Sequence, residues 1–172
     1  MALGVAHTST IPKDDSHRVE LVAQKALIGA LLVFILAGAI GFFGFRSGTV
    51  SDSGGGFDLQ VDYPEQTRGG LASPWKATIH REGGFEGPIV LGVTAGYFEA
   101  FDVNGFYPTP VAQIPSGDLL LMEFDPPNGD TLEIHFDARA QPDQQSGLDA
   151  VTSVMVEGVP VASVTYRTGV AP

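Results

Sequence analysis

Residues 26–45 read ALIGALLVFILAGAIGFFGF, a stretch without a charged, amide or hydroxyl side chain. As a helix, twenty residues extend roughly 30 Å, which matches the hydrocarbon core of a bilayer. Because a helix satisfies its own backbone hydrogen bonds in lipid, the stretch predicts one transmembrane helix. We place this helix, with a short cytoplasmic extension, at residues 16–46 and a cytoplasmic tail at residues 1–15.

Basic side chains flank the apolar stretch unequally. Lys13, Arg18 and Lys25 precede it, whereas Arg46 alone follows it directly. Since basic residues remain on the cytoplasmic side, we expect a single-pass protein of the cell membrane with a cytoplasmic N-terminus and an extracytoplasmic C-terminal domain. An alternative interpretation is a signal peptide cleaved after Ala37-Gly38-Ala39, although the apolar run continues beyond that point. Both interpretations place the C-terminal domain outside.

Ala37 and Gly41 form a small-xxx-small pair within the apolar stretch. Small residues at this spacing let two transmembrane helices approach closely, so these two are our candidates for helix packing. Glycine and alanine are also common in membrane spans generally, and that composition is the simpler explanation.

Charge and cysteine content exclude several classes of function. Residues 1–46 carry a net charge of +1, whereas residues 47–172 hold five basic and seventeen acidic side chains, a net charge of −12. An acidic domain repels phosphate backbones, so nucleic acid is not an expected partner. The chain has no cysteine, which excludes disulfides, thiolate nucleophiles and cysteine-ligated metal centres.

Alternation of apolar and polar residues begins at Phe57 and continues towards the C-terminus. The predicted strands are 57–63, 75–80, 89–97, 119–124, 132–139, 151–157 and 159–167. No amphipathic helix is expected after residue 46. About seven short strands predict an all-β domain at residues 57–172, an antiparallel sandwich of the immunoglobulin or fibronectin III kind. Residues 47–56, SGTVSDSGGG, predict a flexible linker.

Two turns are predicted from dipeptides. Glu157-Gly158 separates the last two strands by so little chain that we expect a tight hairpin. Asn128-Gly129 favours positive φ angles, so we expect a type I′ hairpin turn between the strand ending at Phe124 and the strand beginning at Thr131. The oxygen ligands of residues 125–130 resemble a calcium loop only superficially, because the spacing fails the EF-hand pattern.

The run LQVDYPEQTRGGLASPWKATIHREGGFEGPIVLGV, followed by GFYPTP, FDPPNGDTLEIHFDARAQP and VASVTYRTGVAP, resembles a set of uncharacterised bacterial proteins, mostly actinobacterial. The resemblance covers most of residues 57–172. It implies one N-terminal span and one extracytoplasmic immunoglobulin-like sandwich, and an integral membrane protein as partner. It implies no catalytic residues.

An aromatic segment, YFEAFDVNGFY at residues 97–107, holds five aromatic side chains in eleven residues. Exposed aromatic residues on a proline-rich loop are typical anchors of protein interfaces, whereas a sandwich core absorbs some of them. Our candidate partner-binding residues are Phe98, Phe101, Phe106 and Tyr107. Within the segment we expect Tyr97 and Phe101 to face the core and Phe106 and Tyr107 to face the partner.

His80 and His135 fall on the polar faces of their predicted strands. If those strands are neighbours, the two imidazoles form a candidate metal pair with Asp137, Glu133 or Met122. Neither histidine belongs to a spaced ligand motif, and solvated surface histidines are the simpler interpretation. We therefore expect no metal and no cofactor.

Several catalytic motifs are missing from the sequence: it contains no G-x-S-x-G, G-x-G-x-x-G or P-loop pattern. The leading hypothesis is a non-catalytic accessory subunit or docking module on the extracytoplasmic face of a membrane protein complex. The alternative hypothesis is an extracytoplasmic metal or small-solute binding protein.

Overall fold

A computed structural model describes residues 15–39, 46–141 and 147–171. The chain forms two units, an N-terminal helix and a β domain. Helix α1 runs from Asp15 to Ala39, and its segment Val19–Leu36 is long and apolar enough to cross a membrane. A signal sequence meets the same criterion. The predicted tail up to residue 14, Gly41 and the side chain of Ala37 lie outside the described residues.

Within residues 46–141 and 147–171, the β domain contains ten strands and one short helix. The strands are β1 (Arg46–Gly54), β2 (Phe57–Arg68), β3 (Trp75–His80), β4 (Ile89–Thr94), β5 (Phe101–Tyr107), β6 (Ala112–Ser116), β7 (Leu119–Phe124), β8 (Thr131–Ala140), β9 (Leu148–Val156) and β10 (Val159–Ala171). Helix α2 (Ala95–Glu99) lies between β4 and β5. The all-β class is therefore confirmed. The predicted number of about seven strands is wrong, because β1, β5 and β6 were missed, and α2 is an unexpected helix.

The strands form one curled, mixed sheet in the order β5-β8-β3-β2-β10-β9-β4-β7-β6, with β1 paired to β2. All pairs are antiparallel except one: the end of β10, Gly169–Ala171, runs parallel to Gln66–Arg68 of β2. The prediction of a wholly antiparallel sheet is wrong at this seam. Strand β10 pairs with β9 over most of its length and reaches β2 only at its end, which curls the sheet around one core.

Strand β1 occupies the stretch predicted as a flexible linker, and that prediction is wrong. It pairs with β2 from Arg46, opposite Gln66, to Gly54, opposite Phe57. Its glycines serve close packing: a Cβ at Gly48 would lie 2.8 Å from the Tyr63 ring, and one at Gly54 would overlap a backbone carbonyl of β10. The Ser/Gly composition therefore results from packing rather than flexibility.

A side-chain hydrogen bond joins β1 to β10. The Ser163 backbone N–H donates to Asp52 Oδ2 at 2.8 Å, so the carboxylate satisfies a backbone donor of β10. The β domain consequently begins at residue 46 instead of residue 57.

The two predicted turns have different outcomes. Glu157 and Gly158 have φ angles of 51° and 78°, as a type I′ turn requires, and they join the paired strands β9 and β10. This prediction is confirmed. The hairpin predicted at Asn128-Gly129 is wrong, since β7 pairs with β4 and β6 whereas β8 pairs with β3 and β5. The connection crosses between two parts of the sheet, and neither residue has a positive φ angle.

The core contains a hydrogen-bonded group of aromatic and hydroxyl side chains. The Trp75 indole N–H donates to the Tyr166 hydroxyl at 2.8 Å, and the Thr152 and Tyr166 hydroxyls are 3.0 Å apart. The Tyr97 and Thr168 hydroxyls are 2.9 Å apart. Burial raises the pKa of Tyr166 to about 12 and raises the pKa of Tyr97 further. Both hydroxyls stay protonated at neutral pH and act as hydrogen-bonding groups.

Candidate interaction surface

The aromatic segment folds into two elements with different exposure. Tyr97 and Phe98 lie on α2, where a helical turn directs both consecutive side chains inwards, as a strand could not do. Their exposed fractions are 1% and 7%, and that of Phe101 is 3%. Phe98 packs edge-on against Trp75 and Phe136, with ring centres 6.1 and 4.8 Å away. Phe98 and Phe101 are therefore core residues, and burial makes their assignment as partner-binding residues wrong.

Phe106 and Tyr107 end the segment on β5, an edge strand that pairs only with β8 among the described strands. Phe106 is half-buried: its ring stacks on Phe136 at 5.4 Å and meets Phe98 edge-on at 5.3 Å. Tyr107 is 77% exposed. We expected Tyr97 and Phe101 to face the core, and both are buried. We expected Phe106 and Tyr107 to face outwards; Tyr107 is exposed, whereas Phe106 contributes mainly to the core.

Exposed apolar side chains continue beyond the aromatic segment. In residues 46–141 and 147–171 the large hydrophobic side chains that are exposed are Leu71, Tyr107, Val111, Ile114, Val156 and Val159. Three of them belong to residues 107–114 and two flank the Glu157-Gly158 turn. Tyr107 lies on β5, at the other end of the sheet order from β6, so we call the other four, Val111, Ile114, Val156 and Val159, the outer apolar surface. Ile114 and the Glu157-Gly158 turn line the same hollow, so one surface feature connects the two groups.

This hollow lies on the outward face of β6, β7, β4 and β9. The register places Ala112, Glu123, Val90 and Met155 in one row across the four strands, and Ile114, Leu121 and Gly92 in the next. The alternate residues of these strands, such as Leu91 and Met122, are fully buried in the core. The hollow has a volume of about 270 Å³ and a mainly apolar lining.

Gly92 is buried beneath two side chains that line the hollow, Leu121 and Met155. A Cβ atom at this position would lie 3.1 Å from Leu121 Cδ2, 3.5 Å from Leu119 Cδ1 and 3.6 Å from Met155 Cγ. These three side chains therefore bend over the glycine and are supported by it. A larger residue at position 92 would push Leu121 outwards and reshape the hollow.

Two carboxylates, Glu123 and Glu157, also line the hollow. Within the part of the chain that the structure describes, neither has a basic side chain within ion-pair distance. Other carboxylates have basic partners: Asp62 lies 3.5 Å from Lys76, and Asp149 lies 2.9 Å from Arg167. The hollow consequently combines an apolar floor with uncompensated negative charge.

The candidate metal pair is not assembled. Strands β3 and β8 are neighbours, but His80 lies opposite Thr131 and His135 opposite Lys76, four residues away along the ladder. That offset separates the two by about 13 Å, too far for one metal ion. Met122 is fully buried, and among the described residues no group of three His, Asp or Glu side chains could hold a metal. Each histidine has a local contact instead: His80 Nδ1 is 3.2 Å from Thr131 Oγ1, and His135 Nε2 is 3.7 Å from Glu133 Oε2.

Comparison with known proteins adds no family to this description: no protein-family model matches the sequence, and no curated protein is similar enough to match. The site must be interpreted from its own geometry.

The sequence interpretation missed the hollow and strand β6. Residues 108–118 contain three prolines, a pattern that predicts a break between strands. The signal that could have found β6 is the pair Ala112 and Ile114 at a spacing of two, directed to the same face and followed by a glycine turn.

Proposed function

We propose that this protein is a membrane-anchored accessory subunit or docking module, without catalytic activity, whose β domain contacts an integral membrane protein on the extracytoplasmic side. The outer apolar surface is the observation that carries the proposal. Large apolar side chains clustered around a hollow on a soluble domain are typical of protein interfaces. The anchor would confine the search for a partner to the plane of the membrane. We also infer that the curled sheet is a variant of the immunoglobulin-like sandwich.

The metal or small-solute alternative has less support. The register separates His80 from His135, so the candidate metal pair is not formed. The hollow is open and mainly apolar, and the apolar side chains of a protein partner match this lining better than a polar solute does.

Co-purification of the full chain from its native membranes in mild detergent tests the proposal. We expect an integral membrane protein in stoichiometric amounts with the unmodified chain and its loss with Ile114→Ser. The matched control is Leu71→Ser, because Leu71 is 52% exposed and Ile114 57%, and Leu71 lies in the loop between β2 and β3, outside the outer apolar surface. If both variants recover the membrane protein equally, and each melts at the same temperature as the unmodified chain, the proposed surface is rejected.

A further inference from the structure

We infer that the hollow binds a short extended segment of the partner, in which a lysine or arginine and apolar side chains occupy alternate positions and so face the hollow together. The inference rests on the proposed function and specifies the chemistry of its partner. Its basis is the combination of an apolar floor, two uncompensated carboxylates and a blocked strand edge.

The floor determines the length of the segment. The row from Ala112 on β6 to Met155 on β9 crosses three strand spacings of about 4.8 Å each, or about 14 Å. An extended chain advances about 3.3 Å per residue, so four or five residues cross the floor. Alternate side chains of such a segment point to the same side, which places two or three side chains, the basic one among them, on the floor formed by Val90, Leu121 and Met155.

The negative charge at the hollow determines the second feature of the segment, its basic side chain. Glu123 and Glu157 lie at the apolar lining without a basic neighbour among the described residues, and the β domain as a whole is strongly acidic. An arriving lysine or arginine keeps its aliphatic stem on the apolar floor while its charged end reaches a carboxylate. An acidic segment would meet repulsion at the same place.

A neighbouring hollow continues the surface towards the β9–β10 turn. It has a volume of about 370 Å³ and shares Val90, Met155 and Glu157 with the first. Arg81 lines its far wall, where it lies 5.2 Å from the centre of the Phe57 ring and 3.5 Å from Glu86. Arg81 is already engaged there, and Glu123 lines the first hollow but not this one, so we place the basic side chain of the partner in the first hollow.

Strand addition at β6 is the competing mode of binding, and the sequence of the edge opposes it. Strand β6 has five residues and is the terminal strand of the sheet order, but Pro115 has no N–H to donate. A proline in so short an edge strand weakens pairing with an incoming strand. The partner segment therefore crosses the outward face and is recognised by side chains.

The test uses the full chain in nanodiscs of phosphatidylcholine, whose headgroup has no net charge. The probe is the peptide acetyl-Leu-Ser-Val-Ser-Lys-amide, in which Leu, Val and Lys lie on one side of an extended chain. It carries an uncharged fluorophore and is followed by fluorescence anisotropy at about 20 mM and about 200 mM salt. We expect it to bind about tenfold more tightly than the matched peptides with Glu replacing Lys or Ser replacing the apolar residues. The double substitution Glu123→Gln and Glu157→Gln should weaken binding about 5- to 10-fold and remove most of its salt dependence.

The control variant, Glu65→Gln with Asp102→Asn, changes the net charge equally but on β2 and β5, and should alter affinity less than about twofold. Equal weakening by both double variants, or equal binding of the lysine and glutamate peptides, would overturn the inference. Absence of peptide binding while Ile114→Ser still abolishes co-purification of the membrane protein would overturn this inference alone and leave the proposed function standing. Co-purification that is insensitive to Ile114→Ser would reject the proposed function itself.

Discussion

Phe106 and Tyr107 are adjacent in sequence, yet the structure predicts opposite effects of their removal on stability. Phe106 is half-buried, with its ring stacked on Phe136 and edge-on to Phe98. Replacing a fully buried phenylalanine by alanine costs about 3–5 kcal/mol, so we expect Phe106→Ala to lower the free energy of unfolding by about 2 kcal/mol. Tyr107 is 77% exposed, and Tyr107→Ala should change it by less than about 0.5 kcal/mol.

Thermal melting of residues 46–172 measures both effects. For a domain of this size 1 kcal/mol corresponds to about 3–5 °C, so Phe106→Ala should lower the melting temperature by about 6–10 °C and Tyr107→Ala by less than about 2 °C. The fragment must begin at residue 46, because β1 belongs to the sheet. Phe106→Leu is the matched control, since it keeps apolar volume and should recover about half of the loss. Equal shifts for the two alanine variants would show that the burial assigned to this segment is wrong.

Three further predictions concern the hydrogen bond between β1 and β10, the membrane topology and the buried tyrosines. Asp52→Ala removes the acceptor of the Ser163 N–H and should lower the free energy of unfolding by about 1 kcal/mol, measured as a lower urea midpoint. Asp52→Asn keeps an acceptor oxygen and should lose less stability. No change in either variant would mean that the hydrogen bond contributes nothing to stability. Ser51→Cys creates the single thiol of the chain and should react with a membrane-impermeant maleimide on intact cells; reaction only after lysis would reverse the topology. An unfolded tyrosine ionises near pH 10 and buried Tyr166 at about 12, so the unfolded state releases protons first and stability should fall as the pH rises between these values. Tyr166 should account for about 2 kcal/mol of this fall, and Tyr97, whose pKa burial raises further, should add to it. Tyr166→Phe should flatten that decline in urea titrations at pH 9 and pH 11, and an unaltered slope would exclude Tyr166 as its source.

The inner strands could be predicted from sequence because their own residues carry the signal. In β8, Leu132, Ile134 and Phe136 are buried and alternate with exposed polar residues, so period and burial coincide. Strand β1 lacks such a signal: its burial consists mainly of Gly48 beneath Tyr63 and half-buried Val50. The partners that hold it come from β2 and β10, and a local pattern contains no information about them. Helix α2 was missed for a related reason, since five residues carry too little periodicity to distinguish a helical turn from a strand.

Packing of the core requires the apolar residues on the inner face of the sheet, but it does not require the apolar residues that are exposed. Leu91, Met122 and Val154 close the core, and serine at any of these positions would leave a cavity and an unpaired hydroxyl. Ile114 lies more than half exposed on an edge strand, so serine there should cost the fold little. In an acidic domain, where polar residues would serve solubility better, the grouping of Ile114 with Val111, Val156 and Val159 beside two unpaired carboxylates is most simply explained by a bound partner. A solubility-only explanation predicts that Ile114→Ser leaves both stability and co-purification unchanged. The docking explanation predicts unchanged stability with loss of the partner, so the two measurements together separate binding from folding.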